Sequence, residues 1–137
     1  MSRTNSARKR GQAMIEGALI TLLLAAVLIA IFDLGLVLFI HQTFANSVRS
    51  AVRYGVVNPY DPTVIKNMVL YGQPTAGATG VFGLTAGMVS VARIDAGTND
   101  QRIVVTISGY PYRFFSPWIA GAFNGRAIMA SLPLETP

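Results

Sequence analysis

The chain has 137 residues, eleven basic and six acidic side chains, a formal charge of +5, no cysteine and one histidine. The lack of cysteine excludes disulfides, thiolate nucleophiles and cysteine-held metals, and a lone His41 leaves little for a histidine-based metal or acid–base constellation. No Gly-rich phosphate loop, His-Glu-x-x-His or Gly-x-Ser-x-Gly pattern is present, so the chain reads as a non-enzyme that uses no cofactor and no metal.

The charge is unevenly placed. Arg3, Arg8, Lys9 and Arg10 give residues 1–11 a charge of +4 with no acid, and the rest of the chain carries only +1. A nucleic-acid binder spreads its basic residues over a folded face. Here they form a short leader ahead of an apolar run, so Arg8, Lys9 and Arg10 read as a topology signal and no nucleic-acid partner is expected.

From Gly17 to Ile40 the sequence is GALITLLLAAVLIAIFDLGLVLFI, in which only Thr21 and Asp33 are polar. At a rise of about 1.5 Å per residue, a helix of this length crosses a hydrocarbon core of about 30 Å. A cleaved secretory signal has a shorter apolar region followed by a small-x-small site, and no Ala-x-Ala follows this run. The basic leader predicts a single-pass orientation with the N-terminus in the cytoplasm and the remainder across the membrane. In a bacterium, that is the inner membrane with a periplasmic C-terminal domain. The lipid bilayer is the first expected partner.

The helix is expected to continue past the lipid. In HQTFANSVRSAVRYG, Phe44, Val48, Ala51 and Gly55 fall on one stripe widened by Val52, while Asn46, Arg49, Ser50 and Arg53 lie mostly elsewhere. Gly55 reads as a C-terminal cap with Pro59 soon after. A helix from Gln12 to Tyr54 is roughly 65 Å long, so its outer half must pack on a C-terminal domain or a neighbouring subunit.

Asp61-Pro62 reads as an N-cap and first helical residue, followed by a short helix with Val64, Ile65, Met68 and Val69 on one face and an end near Gly72. Residues 72–87 read as loop. Met88–Ile94 and Gln101–Ser108 read as strands joined by a turn at 96–100, with Ile103, Val105 and Ile107 on one face. Ser116-Pro117 is expected to open a helical turn carrying Trp118, Ile119 and Phe123. Arg126–Leu132 reads as a third strand stopped by Pro133. The fold class is therefore α+β: a long N-terminal transmembrane helix continuing into a small antiparallel sheet. The divisions are a leader at 1–11, a transmembrane and extended helix at 12–57, and a periplasmic domain of about three strands at 58–137. The outer half of the helix covers the sheet, and Tyr110, Tyr112, Phe114, Phe115 and Trp118 are expected to plug the gap between them.

Glu16 is a carboxylate at the doorstep of the membrane run, and three readings are open. It is solvated at the cytoplasmic interface, it lines a proton or ion path, or it is an assembly device paired with a positive group on a partner. The third gains from Gly11: cleavage after Gly11 leaves a free ammonium on Gln12, which could pair with Glu16 of an adjacent helix. Asp33 lies nearer the outer end of the run, so its cost is below the roughly 2.5–3.5 kcal/mol of a mid-bilayer carboxylate. It sits at the outer interface, or serves a proton-driven complex. At about 100° per residue, Glu16 and Asp33 differ by roughly 100° around the helix, so one chain does not bring them together. His41 reads as a solvated interface residue.

The basic leader, Gly11, Glu16 and the apolar helix resemble the class III signal of type IV pilins and pseudopilins. The QAMIEGALI start, the IFDLG acid, the AVRYG that closes the helix, the VVTISGYPYRFFSPW segment and a terminal strand resemble TadE-like minor pseudopilins of tight-adherence (Tad, or Flp) systems. The resemblance implies a prepilin peptidase cutting between Gly11 and Gln12, with Glu16 guiding assembly and Asp33 as the acid common in such helices. Its implied partners are the peptidase, other pilins or pseudopilins, an inner-membrane platform and an ATPase. The sequence departs from the family at Gly17, where an aromatic residue commonly follows the glutamate. The competing reading is an uncleaved single-span envelope protein whose outer domain binds a partner.

Overall fold

One helix dominates the backbone. In the computed structural model, which describes residues 3–98, 100–116, 119 and 121–134 and the side chains among them other than those of residues 3–10 and 122, α1 runs from Arg3 to Val57. The topology residues Arg8, Lys9 and Arg10 have side chains outside that description, and Pro117 and Trp118 lie outside it altogether. The helix starts before the expected Gln12 and, running past Tyr54, ends at Val57, the close of the 12–57 division. Gly55 does not cap it. The helix continues through Gly55 and ends after Val57, where the Asn58 backbone N–H and side-chain amide both donate to the Tyr54 carbonyl at 3.0 Å.

The second helix, α2 (Pro62–Tyr71), forms where expected. Asp61 is extended, and its carboxylate accepts from the amides of Thr63 and Val64, occupying donors that the first turn leaves free. Gly72 closes the helix at φ 70, in the left-handed region that favours glycine. Ile65, Val69 and Leu70 are buried. The following loop contains two single 3₁₀ turns, Val81–Gly83 and Ala86–Met88, and it buries Leu84.

Three antiparallel strands follow in the order β1-β2-β5: β1 (Val89–Ile94), β2 (Arg102–Ile107) and β5 (Ile128–Pro133). The register aligns Val89, Ile107 and Ile128 in one row and Val91, Val105 and Ala130 in the next. Period-two alternation puts Ile103, Val105 and Ile107 of the central strand on one buried face, as the sequence predicts.

Between β2 and β5 the chain forms an unforeseen second hairpin, β3 (Pro111–Arg113) with β4 (Ala122–Asn124). Phe123 is therefore a strand residue paired with Tyr112, which corrects its expected place on a helical turn with Ile119. Beyond β4, Gly125 passes so close to the Tyr112 ring that a side chain there would collide with it. Gly125 donates its backbone N–H to Tyr110, which extends the pairing.

The chain divides into two compact units: residues 1–36 with 114–120, and residues 37–113 with 121–137. The core of the second unit contains the outer-helix stripe. Phe44, Val48, Ala51 and Val52 are fully buried, each burial contributing up to ~1.5–3 kcal/mol for the larger side chains. Gly55 extends the stripe. A Cβ there would lie 2.6 Å from Ile65 Cδ1 and 3.1 Å from Ile103 Cδ1, so glycine lets α1, α2 and β2 meet. Tyr110 stacks edge-on against Phe44 at 4.7 Å and Tyr112 at 5.0 Å, and its hydroxyl donates to the Phe82 carbonyl at 2.8 Å. Phe82 holds a left-handed backbone (φ 52) that costs an aromatic residue energy. That hydrogen bond and ring contacts to Phe39 and Phe44 hold it there.

Candidate functional site

The N-terminal site is a helix surface. Gly11 has open space around it, and Gly11, Gln12 and Glu16 are exposed. Among the described residues, Glu16 has neither a hydrogen bond nor an ion pair. The Gly11–Gln12 bond lies within α1. A helical glycine costs about 1 kcal/mol relative to alanine, which favours local opening at that bond.

From Met14 to Phe32 the helix is almost bare, and apart from Glu16 and Thr21 it is apolar on all sides. Met14, Leu23 and Phe32 are 76%, 68% and 62% exposed. An all-round apolar helix belongs in a bilayer or a protein interior, and an 18-residue stretch of this one has a mean hydropathy of 2.9 with 11% of it buried. In the run from Gly17 to Ile40, the two polar side chains are satisfied within the chain. Thr21 Oγ1 donates to the Gly17 carbonyl at 2.8 Å.

Asp33 is the other polar residue, and the chain folds around it. It is only 3% exposed. One carboxylate oxygen accepts the Phe115 backbone N–H at 2.7 Å and the other accepts that of Ser116 at 2.8 Å. Such charge-assisted bonds are about twice as strong as neutral ones. The Phe115 ring lies edge-on to Phe32, centroids 6.5 Å apart. The helical spacing of Ala26, Ile29 and Asp33, the less exposed positions along this part of α1, matches one stripe. Both carboxylate oxygens are occupied, so Asp33 acts as an acceptor that fixes the 114–116 backbone. The amides of Phe115 and Ser116 are the site partners that sequence reading missed. The only local signal was a membrane-run carboxylate in need of donors.

The aromatic group divides. Tyr112 is buried, Tyr110 half-buried, and Phe115 is 74% exposed, so Phe115 is not the plug it was expected to be. Burial raises the phenol pKa of both tyrosines. The Arg113 charge opposes the rise at Tyr110, and Tyr110 adds to it at Tyr112. His41 is exposed on the rim of a groove of about 250 Å³ that it shares with Arg49 and residues 127–130. Among the described residues, no three His, Asp or Glu side chains gather as a metal site.

The structure does not bring Gly11, Glu16 and Asp33 together. Gly11 and Glu16 lie on the bare helix, and Asp33 is enclosed. Neither a curated protein nor a solved structure matches the chain. The family described as TadE-like protein matches residues 11–53, within the helix and short of the later segments that also resemble that family, and this segment, apolar enough to anchor the chain in a membrane, fits a Tad pilus-associated membrane protein.

Proposed function

We propose that the chain is a minor pseudopilin of a Tad/Flp-type pilus or secretion apparatus, a non-catalytic assembly subunit anchored in the bacterial inner membrane. The observation that carries this reading is the bare apolar helix with a single unpartnered carboxylate, Glu16, at its start. A prepilin peptidase cuts between Gly11 and Gln12 on the cytoplasmic side. The new Gln12 ammonium pairs with Glu16 of an adjacent subunit, and apolar helix surfaces of neighbours replace lipid around the span. Arg8, Lys9 and Arg10 hold the leader on the cytoplasmic side. The inner-membrane platform and ATPase of the machine are the remaining partners.

Mass spectrometry of the membrane form tests processing. The expected mass begins at Gln12 when the cognate peptidase is present. An intact leader in that background removes the processing step.

The unbroken course of α1 through Gly11 favours a second reading, an uncleaved single-span protein whose outer domain binds a partner. That reading predicts full function for Glu16→Ala, and the pseudopilin reading predicts loss of incorporation.

A further inference from the structure

Residues 114–120, FFSPWIA, carry no charge and belong to the same compact unit as residues 1–36. Within it, Phe115 and Ser116 are tied to the helix at a defined level. Phe115 and Ser116 donate to Asp33, and the Phe115 ring meets Phe32. Asp33 lies within the apolar run, seventeen residues beyond Glu16 and seven before Ile40. At about 1.5 Å per residue, it stands ~25 Å along the helix from Glu16, against a hydrocarbon core of about 30 Å. With Glu16 at the inner boundary, the tether falls just inside the outer one.

We propose that the 114–116 segment is a second membrane contact, seated in the outer lipid interface with the Phe115 ring among lipid chains. This rests on reading α1 as a membrane span. Non-helical backbone near lipid needs its polar groups satisfied, because each unpaired group there costs several kcal/mol. Asp33 takes the amides of Phe115 and Ser116, and the same two bonds satisfy a carboxylate that is costly in the run. The side chain that remains exposed is apolar: Phe115 is 74% exposed beside Phe32, itself 62% exposed. A phenyl ring carries no polar group, so at this level it gains by leaving water for the lipid chains. Lipid is the occupant because the contact lies at the level of Phe32, inside the run.

The test uses the full chain in vesicles, with Trp118→Phe removing the only tryptophan of the sequence. Phe115→Trp in that background reports the loop, and Leu28→Trp reports the middle of the span. The Phe115→Trp emission is expected to shift to the blue and to be quenched more by lipids brominated near the headgroup end of the chains than by lipids brominated at the chain ends. Leu28→Trp is expected to show the reverse order. If Leu28→Trp is quenched by lipid and Phe115→Trp is not, the loop contact is overturned and the span stands. Stronger quenching of Phe115→Trp by the deep-brominated lipid overturns the interfacial placement. If neither is quenched by lipid, both readings fall.

Discussion

Asp33 and Ser116 are 83 positions apart in sequence, yet a 2.8 Å hydrogen bond joins the aspartate side chain to the serine backbone. Together with its neighbour from Phe115, this bond connects a carboxylate in the apolar run to a loop that follows β3. The acid, expected at the outer interface or in a proton-driven complex, is enclosed by its own chain.

Asp33→Ala removes both acceptors and leaves two amides unpaired. Charge-assisted bonds contribute about 1.5–3 kcal/mol each, so the tether is expected to weaken by several kcal/mol. Hydrogen exchange of full-length protein in lipid reads this directly. The Phe115 and Ser116 amides are expected to exchange at least tenfold faster, while those of Ile103 and Val105 in β2 change little. Unchanged exchange at both loop amides contradicts the tether.

Gly55 separates a cap from a contact. Gly55→Val adds branched atoms where even a Cβ crowds Ile65 and Ile103. Overpacking of this kind costs about 1–3 kcal/mol, more than the modest helix propensity gained over glycine. Thermal unfolding in detergent is expected to show a lowered midpoint. A cap at this position requires a left-handed glycine, whereas Gly55 lies inside the helix. Gly55→Ala is therefore expected to lower the midpoint by crowding Ile65, and Gly72→Ala by backbone strain alone, because Gly72 sits at φ 70 with open space around it.

The two tyrosines set an alkaline limit. Burial raises both phenols above the ordinary value of 10.0, so above that pH the folded state retains protons that the unfolded state has lost. By linkage, stability falls as pH rises from the unfolded pKa through the folded one. Their contribution is full below about pH 10. Denaturation midpoints followed from pH 8 to 11 are expected to drop at the alkaline end, and Tyr110→Phe with Tyr112→Phe is expected to flatten that drop. An equal drop in the double variant assigns the alkaline loss to other groups.

Much of the fold is legible locally. The run from Gly17 to Ile40 specifies a span by length, Asp61-Pro62 and Gly72 bracket α2, and the Ile103, Val105, Ile107 alternation marks the buried face of β2. What was not legible depends on partners far along the chain. Gly55 looks like a cap because its spacing to Pro59 is right. Only the approach of Ile65 and Ile103 shows that it is a contact glycine. The β3–β4 hairpin has short strands and no tight-turn signature, so nothing local announced it, and Phe123 was misplaced in consequence. The same distance hid the Asp33 site. A carboxylate in an apolar run declares that it needs donors, but their place at Phe115 and Ser116 is a property of the folded chain. Gly11 and Glu16 are named from their spacing alone, and the structure leaves both exposed on α1.

The central claim is that Glu16 is an assembly contact, and incorporation of Glu16→Ala into the assembled apparatus tests it most directly. The variant is expected to insert in the membrane at the wild-type level, because it removes a charge from the edge of an apolar helix. Its recovery with partner pilins or pseudopilins is expected to fall by roughly tenfold or more, since breaking a desolvated charge pair costs about 3–5 kcal/mol. Wild-type recovery of Glu16→Ala with those partners, at equal membrane levels, contradicts the account.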